Sequence, residues 1–209
     1  MGAPRLVLAS ASPRRRDLLD QLGARYTVEP AHIDESQRDG ESPTRYVQRM
    51  AREKAQAIAS RFPAPDVVVL AADTTVVLDD RVLGKPRDRD EAMAMLSGLS
   101  GRSHTVMTAI CLLGVSGMHC ETVRTRVQFS VLSEETLAAY LSTSEPWDKA
   151  GAYGIQGLGG AFVRSIEGSY SNVVGLPLCE TWRLLCDHGI ATTLNPLQAP
   201  ELADAGRRG

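Results

Sequence analysis

The chain has 209 residues and a formal net charge of −2, and 43% of its residues are hydrophobic and 23% charged. This composition is typical of a globular protein that can bury a core, as one α/β domain or two closely joined lobes. The balanced charge argues against non-specific nucleic-acid binding, so any polyanion that it binds should be small. No apolar run is long enough to span a bilayer and the N-terminus lacks the pattern of a signal peptide, so we expect a cytoplasmic protein without a membrane partner.

The four cysteines are scattered along the chain without the paired CxxC spacing of metal sites. They are Cys111, Cys120, Cys179 and Cys186. The pattern indicates neither a disulfide framework nor a zinc site, and it predicts four thiols that serve as packing residues.

The N-terminal segment predicts a strand, a loop and a helix. Residues 6–9 form a short apolar run, Ser12 stands as an N-cap and Pro13 as the first helical residue. Arg14–Arg16 then fall in the first turn, where the helix dipole makes each cation unfavourable by about 0.3–1 kcal/mol. Either an anion compensates there, and free N–H groups with guanidiniums suit a polyphosphate, or the three arginines form a solvated turn.

The second predicted helix opens at Ser42-Pro43 and runs to about Arg61 with apolar residues at the 3.6-residue period. Lys54 falls inside this apolar stripe, four residues from both Met50 and Ile58. Its ammonium group either passes the core to reach solvent or points into a cleft, and the spacing does not decide between the two.

The apolar run at residues 67–72 predicts a strand that is buried on both faces. Asp73 follows it directly and is itself followed by a second β segment at residues 76–78, with Asp79-Asp80 as a turn. A carboxylate between two buried segments must be paired, metal-bound or neutralised. Asp73 is therefore the leading candidate for a reacting carboxylate, the alternative being a structural carboxylate that binds loop N–H groups.

Lys85 and Asp88 precede a third predicted helix at about residues 92–99. Asp88 with Glu91 has the spacing of a capping box, so capping is the favoured role of Asp88 from spacing alone. Lys85, fixed by the following proline, could hold a phosphate or remain a solvated loop lysine.

The rest of the chain predicts further β and helical elements and one glycine-rich loop, WDKAGAYGIQGLGG, which does not fit a dinucleotide fingerprint. In chain order we expect a hairpin of residues 104–115 and 118–131 around Ser116-Gly117, a helix capped by Ser133, the loop at 147–160, a two-stranded unit of 161–166 and 170–174, a helix from Pro177 to Gly189, and a disordered tail over residues 195–209.

Five separated motifs together resemble the Maf family of nucleoside triphosphate pyrophosphatases, over about residues 4–188. They are SASPRRR at 10–16, REKA at 52–55, AADTTV at 71–76, GKPRD at 84–88 and DKAGAYGIQG at 148–157. The resemblance implies a mixed α/β fold with an extended central sheet and flanking helices, related to the ITPase pyrophosphatases, in which two lobes enclose a cleft. Residues 1–194 would form this single domain, and a homodimer and a divalent cation, Mg²⁺ or Mn²⁺, are also implied.

The same resemblance assigns roles to residues of this chain. Asp73 matches the catalytic proton acceptor. Arg15, Thr74 and Gln156 match the specificity positions of a branch that hydrolyses dTTP and UTP to the monophosphate and pyrophosphate. Ser10, Arg14, Lys54 and Lys85 match phosphate-contacting residues. Glu35 and Asp88 match further cleft acids, and with Asp73 they form an oxygen-only set that suits Mg²⁺ or Mn²⁺.

The sequence leaves two other classes of function open beside a pyrophosphatase. One is a non-catalytic regulator of cell division, and the other is a sugar-nucleotide or alarmone binder that uses the same phosphate loop. Retention of all the acids and cations favours the enzyme. Whether Asp73 takes the proton of the attacking water or ligates the metal that acidifies it also remains open.

Overall fold

The computed structural model describes residues 3–195 as a mixed α/β fold in which one seven-stranded sheet carries helices on both faces. The strands are β1 (Arg5–Leu8), β2 (Tyr26–Val28), β3 (Val67–Leu78), β4 (Arg81–Leu83), β5 (Ser103–Gly114), β6 (Gly117–Phe129) and β7 (Val163–Glu167). The α-helices are α1 (Pro13–Gln21), α2 (Pro43–Ala59), α3 (Arg89–Leu99), α4 (Glu134–Tyr140), α5 (Tyr170–Val174) and α6 (Leu178–Asp187). Three short 3-10 turns lie at Pro146–Asp148, Ala150–Ala152 and Leu158–Phe162.

The sheet combines a parallel part with an antiparallel part. Its strand order is β2-β1-β3-β5-β6-β7, and β4 pairs separately with β3. The strands β2, β1 and β3 run parallel, whereas β3, β5, β6 and β7 are antiparallel neighbours. This is the mixed sheet with flanking helices that the sequence predicts.

The twelve-residue strand β3 is shared by the two lobes of the molecule. Its first half pairs with β1 through residues 67–70, and its last residues 76–78 pair with β4 on the same side. Between these two partners, residues 71–75 have a strand neighbour only on the β5 side. A cleft opens at this gap, because no strand covers that edge of β3.

Alternation along β3 sends successive side chains to opposite faces of the sheet. Leu70 and Ala72 pack in a core with residues of α1 and α6, and Val69 and Ala71 pack on the other face against α2. Val76 belongs to a third core, in the second lobe with residues of α3 and α4. The segment of β3 that borders the cleft therefore lies where three cores meet.

Most of the predicted elements are confirmed, including the β5–β6 hairpin and the capped starts of α2, α3 and α4. Ser12 occupies the N-cap position of α1 but makes no side-chain capping bond there. The predicted strand at residues 170–174 is wrong. These residues form α5, because Ser169 Oγ accepts the Asn172 amide at 3.2 Å and Gly175, with φ of 124°, ends the helix.

The prediction of four unpaired thiols is wrong for two of them, since Cys111 and Cys120 form a disulfide. The two residues face each other across β5 and β6, whose turn lies between Gly114 and Gly117. Cys179 and Cys186 are free.

No helix in the described part of the chain is long and apolar enough to cross a membrane. Asn195, the first residue of the predicted tail, forms an isolated bridge with Thr192. The remainder of that tail, residues 196–209, lies outside the described residues, as do residues 1 and 2.

Candidate active site

The cleft beside residues 71–75 of β3 has a volume of about 980 Å³. It receives side chains from the β1–α1 loop, from α2, from β3 and from the glycine-rich loop of the second lobe. Nine of the ten site residues predicted from the sequence line it: Ser10, Arg14, Arg15, Glu35, Lys54, Asp73, Thr74, Lys85 and Gln156.

Lys54 joins two carboxylates on the α2 side of the sheet. Its Nζ lies 2.7 Å from Asp73 Oδ1 and 2.8 Å from Glu35 Oε1. Lys54 is 8% exposed and Asp73 is 7% exposed, so this ion pair is buried in the floor of the cleft. The apolar stripe of α2 turns Lys54 towards β3, which decides the question left open by its spacing in favour of the cleft.

The pKa values of the two carboxylates in this cluster are shifted in opposite directions. Burial raises the pKa of Asp73, although Lys54 and Arg15 pull it down. Partial burial would also raise the pKa of Glu35, but the hydrogen bond and charge of Lys54 outweigh it and lower that pKa. Burial therefore dominates the setting of Asp73, and the charge of Lys54 dominates that of Glu35.

Arg15 occupies the opposite face of β3 and is held by three hydrogen bonds. Its Nε donates to the carbonyl oxygen of Gly175 at 2.9 Å, and its terminal nitrogens donate to Ser10 Oγ and Thr74 Oγ1, each at 3.2 Å. Burial lowers the pKa of Arg15, and the nearby charge of Asp73 opposes this shift. Two adjacent residues of β3 thus bind different cations: Asp73 binds Lys54, and Thr74 binds Arg15.

The Thr74 hydroxyl continues into a buried chain of hydrogen bonds. It lies 2.9 Å from Thr108 Oγ1, which in turn donates to the carbonyl oxygen of Asn172 at 2.9 Å. The fully buried Asn172 amide donates to Val106 O and Thr125 Oγ1. Arg15 is consequently fixed to β3, β5 and α5 together.

Arg14 makes an ion pair with the second lobe. Its guanidinium lies 2.9 Å from Asp148 Oδ2, and the Lys149 ammonium lies 2.5 Å from Asp148 Oδ1. Burial would raise the pKa of Asp148, but the hydrogen bonds from Lys149 and Arg14 outweigh it and lower the pKa to about 2. Asp148 is thus an ionised carboxylate beside two cations at the edge of the cleft.

Lys85 and Gln156 line the cleft with exposed side chains. Neither side chain bonds to another residue within the described range 3–195, so both are available to a ligand. Thr75 offers a further hydroxyl, because its buried Oγ1, on the Asp73 side of β3, lacks a hydrogen-bond partner within that range.

Asp88 is the predicted site residue that does not line the cleft. It is exposed, and its Oδ1 accepts the backbone N–H of Glu91 at 2.8 Å as the N-cap of α3. The residues that the structure describes contain no group of three or more His, Cys, Asp or Glu side chains arranged to hold a metal ion. The three predicted metal acids are therefore not brought together, because helix capping holds Asp88 at the start of α3.

Among the cleft residues that were not singled out from the sequence are Thr75, Glu145, Asp148 and Lys149. Asp148 and Lys149 belong to the DKAGAYGIQG motif, so the motif itself was the signal for them. Glu145 lies three residues before that motif, in no recognisable spacing, and nothing in the local sequence distinguishes it.

A sequence profile described as "Maf-like protein" matches residues 5–188. The chain belongs to this family. A protein of Methylobacillus flagellatus named "dTTP/UTP pyrophosphatase" is 53% identical over 187 residues, which cover 90% of this chain and 94% of that protein. A Myxococcus xanthus protein of the same name is 58% identical over 182 residues, covering 86% of this chain and 90% of its own length.

Among solved structures, the "Nucleoside-triphosphatase / dITP/XTP pyrophosphatase" of Mycobacterium abscessus aligns with a TM-score of 0.41 and 16% identity, over 61% of this chain and 75% of the other.

Proposed function

We propose that this protein is a nucleoside triphosphate pyrophosphatase that hydrolyses dTTP and UTP to the monophosphate and pyrophosphate. The activity named for relatives that are more than half identical along most of the chain supports this proposal. The observation that carries it is the arrangement on β3, where Asp73 meets a lysine on one face and Thr74 meets an arginine on the other. One strand thereby serves both the chemistry and the recognition of the substrate.

Asp73 is the proposed proton acceptor. Its Oδ1 is bonded to Lys54, and its Oδ2 makes no hydrogen bond within residues 3–195, so the second oxygen is available to a water molecule. As the water oxygen attacks a phosphorus of the α–β anhydride, its proton passes to Asp73 and the bond from that phosphorus to the bridging oxygen breaks, which yields the monophosphate and pyrophosphate.

The cations of the cleft are proposed to neutralise the triphosphate. Arg14, Lys54 and Lys85 lie around the cleft with Ser10 at the end of β1, and Lys85 is exposed towards the ligand space. In phosphoryl transfer the main work of a protein is positioning and charge stabilisation, which suits fixed cations on separate elements.

A divalent cation, Mg²⁺ or Mn²⁺, is proposed to bind at Glu35 and Asp73. These two carboxylates already converge on one positive charge, the ammonium of Lys54. Mg²⁺ typically takes one or two carboxylates together with substrate phosphates, so this pair fits without Asp88. When bound, the cation would neutralise phosphate charge and acidify water. We expect chelation by EDTA to abolish turnover and added Mg²⁺ to restore it.

Gln156 is proposed to recognise the pyrimidine base. Its amide can both donate and accept a hydrogen bond, which matches the N3 donor and carbonyl acceptors that uracil and thymine share. The proposal also includes a homodimer in the cytoplasm, where nucleoside triphosphates are found, and light scattering on the purified protein would test the dimer.

A panel of dTTP, UTP, CTP, ATP and GTP with Mg²⁺ tests the proposed activity, provided that pyrophosphate and orthophosphate are measured separately. We expect equal amounts of pyrophosphate and monophosphate from dTTP and UTP, less from CTP and little from the purine nucleotides. Orthophosphate as the first product would overturn the pyrophosphatase assignment. A preference for purines would overturn only the assignment of the base.

A further inference from the structure

Glu145 lies at the base of the glycine-rich loop and binds the loop backbone through its carboxylate. Its Oε2 accepts the N–H of Leu158 at 2.8 Å, and its Oε1 accepts the N–H of Gly159 at 3.0 Å. Oε1 also accepts the hydroxyl of Tyr140 at 2.9 Å. Three donors thus surround one carboxylate, and two of them belong to residues that follow Gln156 closely.

The loop is shaped around this carboxylate. A Cβ added at Gly157 would lie 2.2 Å from Glu145 Oε2, and one added at Gly159 would lie 2.9 Å from the Tyr140 hydroxyl. The Tyr140 hydroxyl also accepts the N–H of Gly154 at 3.3 Å. Glu145 and Tyr140 together therefore hold residues on both sides of Gln156.

The surroundings of the Glu145 carboxylate favour its ionised form, which strengthens its hydrogen bonds to the loop backbone. Partial burial would raise its pKa, but the N–H groups of Gly159 and Leu158 outweigh it and lower the pKa. An ionised carboxylate is an acceptor only, and its hydrogen bonds to backbone N–H groups are stronger than those between neutral partners.

We propose that Glu145 is a positioning residue for base selection, which acts by fixing the backbone around Gln156 through the N–H groups of Leu158 and Gly159. The inference rests on the proposed function and adds to it a residue that determines specificity without touching the base. Lys149 bonds the main-chain oxygen of Glu145 at 2.7 Å and not its side chain, so the side-chain hydrogen bonds of Glu145 go to the loop backbone and to Tyr140.

A double-mutant cycle of Glu145 and Gln156 tests this inference. Glu145→Gln keeps the side-chain volume but replaces one acceptor oxygen with a donor that faces a backbone N–H. We expect the ratio of kcat/KM for UTP over ATP to fall at least tenfold, with less than a twofold change in product inhibition by pyrophosphate. In a Gln156→Ala background the same change should alter the ratio less than twofold, because the side chain through which Glu145 acts is gone.

Two further variants keep the test decisive. Glu121→Gln, which changes a half-buried carboxylate that is paired with Arg183 and does not line the cleft, should leave the UTP over ATP ratio unchanged. If Glu145→Gln fails to fold, Tyr140→Phe removes the hydroxyl that donates to Oε1 and accepts the N–H of Gly154, and it should lower the ratio by a smaller factor that is also lost in the Gln156→Ala background.

An unchanged ratio in a folded Glu145→Gln variant, or an equal fall with and without Gln156, would overturn the inference. The failure of the proposed function would be seen separately, as wild-type protein that hydrolyses neither UTP nor dTTP.

Discussion

Removal of the Asp73 carboxylate should stop the proposed reaction without unfolding the protein. Asp73→Asn keeps the volume but cannot accept the proton of water, so we expect turnover of UTP to fall by about 10²–10⁴-fold. Steady-state rates together with thermal unfolding would check this, because Lys54 retains Glu35 as an ion-pair partner and the fold should persist.

Asp66→Asn is a matched control for this change. Asp66 immediately precedes β3, and its carboxylate pairs with Arg5 at 3.0 Å on the exposed surface. Its substitution should leave the rate unaltered. An Asp73→Asn enzyme that keeps more than about a tenth of the wild-type rate would be incompatible with a general-base role.

Burial of His104 gives the protein a pH-dependent stability. His104 is 3% exposed, and its Nε2 lies 2.8 Å from the Tyr153 hydroxyl. Burial lowers its pKa from 6.5 to about 4. Because the unfolded chain binds the proton first as the pH falls, the stabilisation is complete above pH 6.5 and is lost towards pH 4, by roughly 3 kcal/mol in all.

Urea unfolding of wild type and His104→Gln at several pH values between about 7.5 and 4.5 would measure this loss. We expect the difference in the free energy of unfolding between the two proteins to become smaller as the pH falls, since glutamine does not titrate. A difference that stays constant over this range would show that His104 is not responsible.

The residues of the arginine turn show what a local pattern can and cannot predict. The sequence left open whether an anion or solvent compensates the charge of this turn, and in the structure Arg14 pairs with Asp148, which lies 134 residues further along the chain. No spacing rule connects residues so far apart. The polyphosphate inferred from the turn must therefore compete with a carboxylate of the protein itself.

At the scale of single elements, the glycine-rich loop offers a sharp test of backbone fit. Gly157→Ala would force its Cβ to 2.2 Å from Glu145 Oε2, so we expect the loop to shift and kcat/KM for UTP to fall at least tenfold, a change of about 1.4 kcal/mol. Kinetics on UTP and on ATP would show the loss for UTP in particular.

Gly98→Ala in α3 is the matched control, because its Cβ would meet only Leu78 Cδ2 at an ordinary 3.4 Å. That substitution should leave the kinetics unchanged and should stabilise the helix slightly. A Gly157→Ala enzyme with wild-type kinetics would contradict the contact between this loop and Glu145.

Elements with a strong hydrophobic period could be predicted from the sequence, whereas short elements could not. The apolar run of β3 and the stripe of α2 specify their own burial, and together they bring Lys54 to Asp73. In contrast, α5 has two valines that favour a strand, and tertiary bonds of Asn172 to Val106 and Thr125 accompany its helical form. Such bonds depend on β5 and β6, which a local pattern does not contain.

At the scale of the whole molecule, the Cys111–Cys120 disulfide links β5 to β6 beneath α2. Closing a loop with a sequence separation of 9 contributes about 2–3 kcal/mol to the free energy of unfolding in the chain-entropy account. We expect alkylation of the unfolded protein to label two cysteines before reduction and four after it. Reduction should also lower the Tm.

Cys111→Ser should remove the response of the Tm to reductant, whereas Cys186→Ser should retain it, since Cys186 is a free thiol. Four labelled cysteines in oxidised protein would contradict the disulfide. A cytoplasm keeps most thiols reduced. The redox state of Cys111 and Cys120 in protein freshly isolated from cells would therefore also test the expected cytoplasmic location.

The continuity of β3 has a mechanical consequence. The strand β3 passes through both lobes and is paired with β5 from Val69 to Val77. It therefore connects the lobes rigidly and lacks the hinge that domain-closing proteins use. We therefore expect the cleft to keep a nearly constant width when a ligand binds. Small-angle scattering should give the same radius of gyration with and without nucleotide, and the adjustment on binding belongs to the loops at the rim.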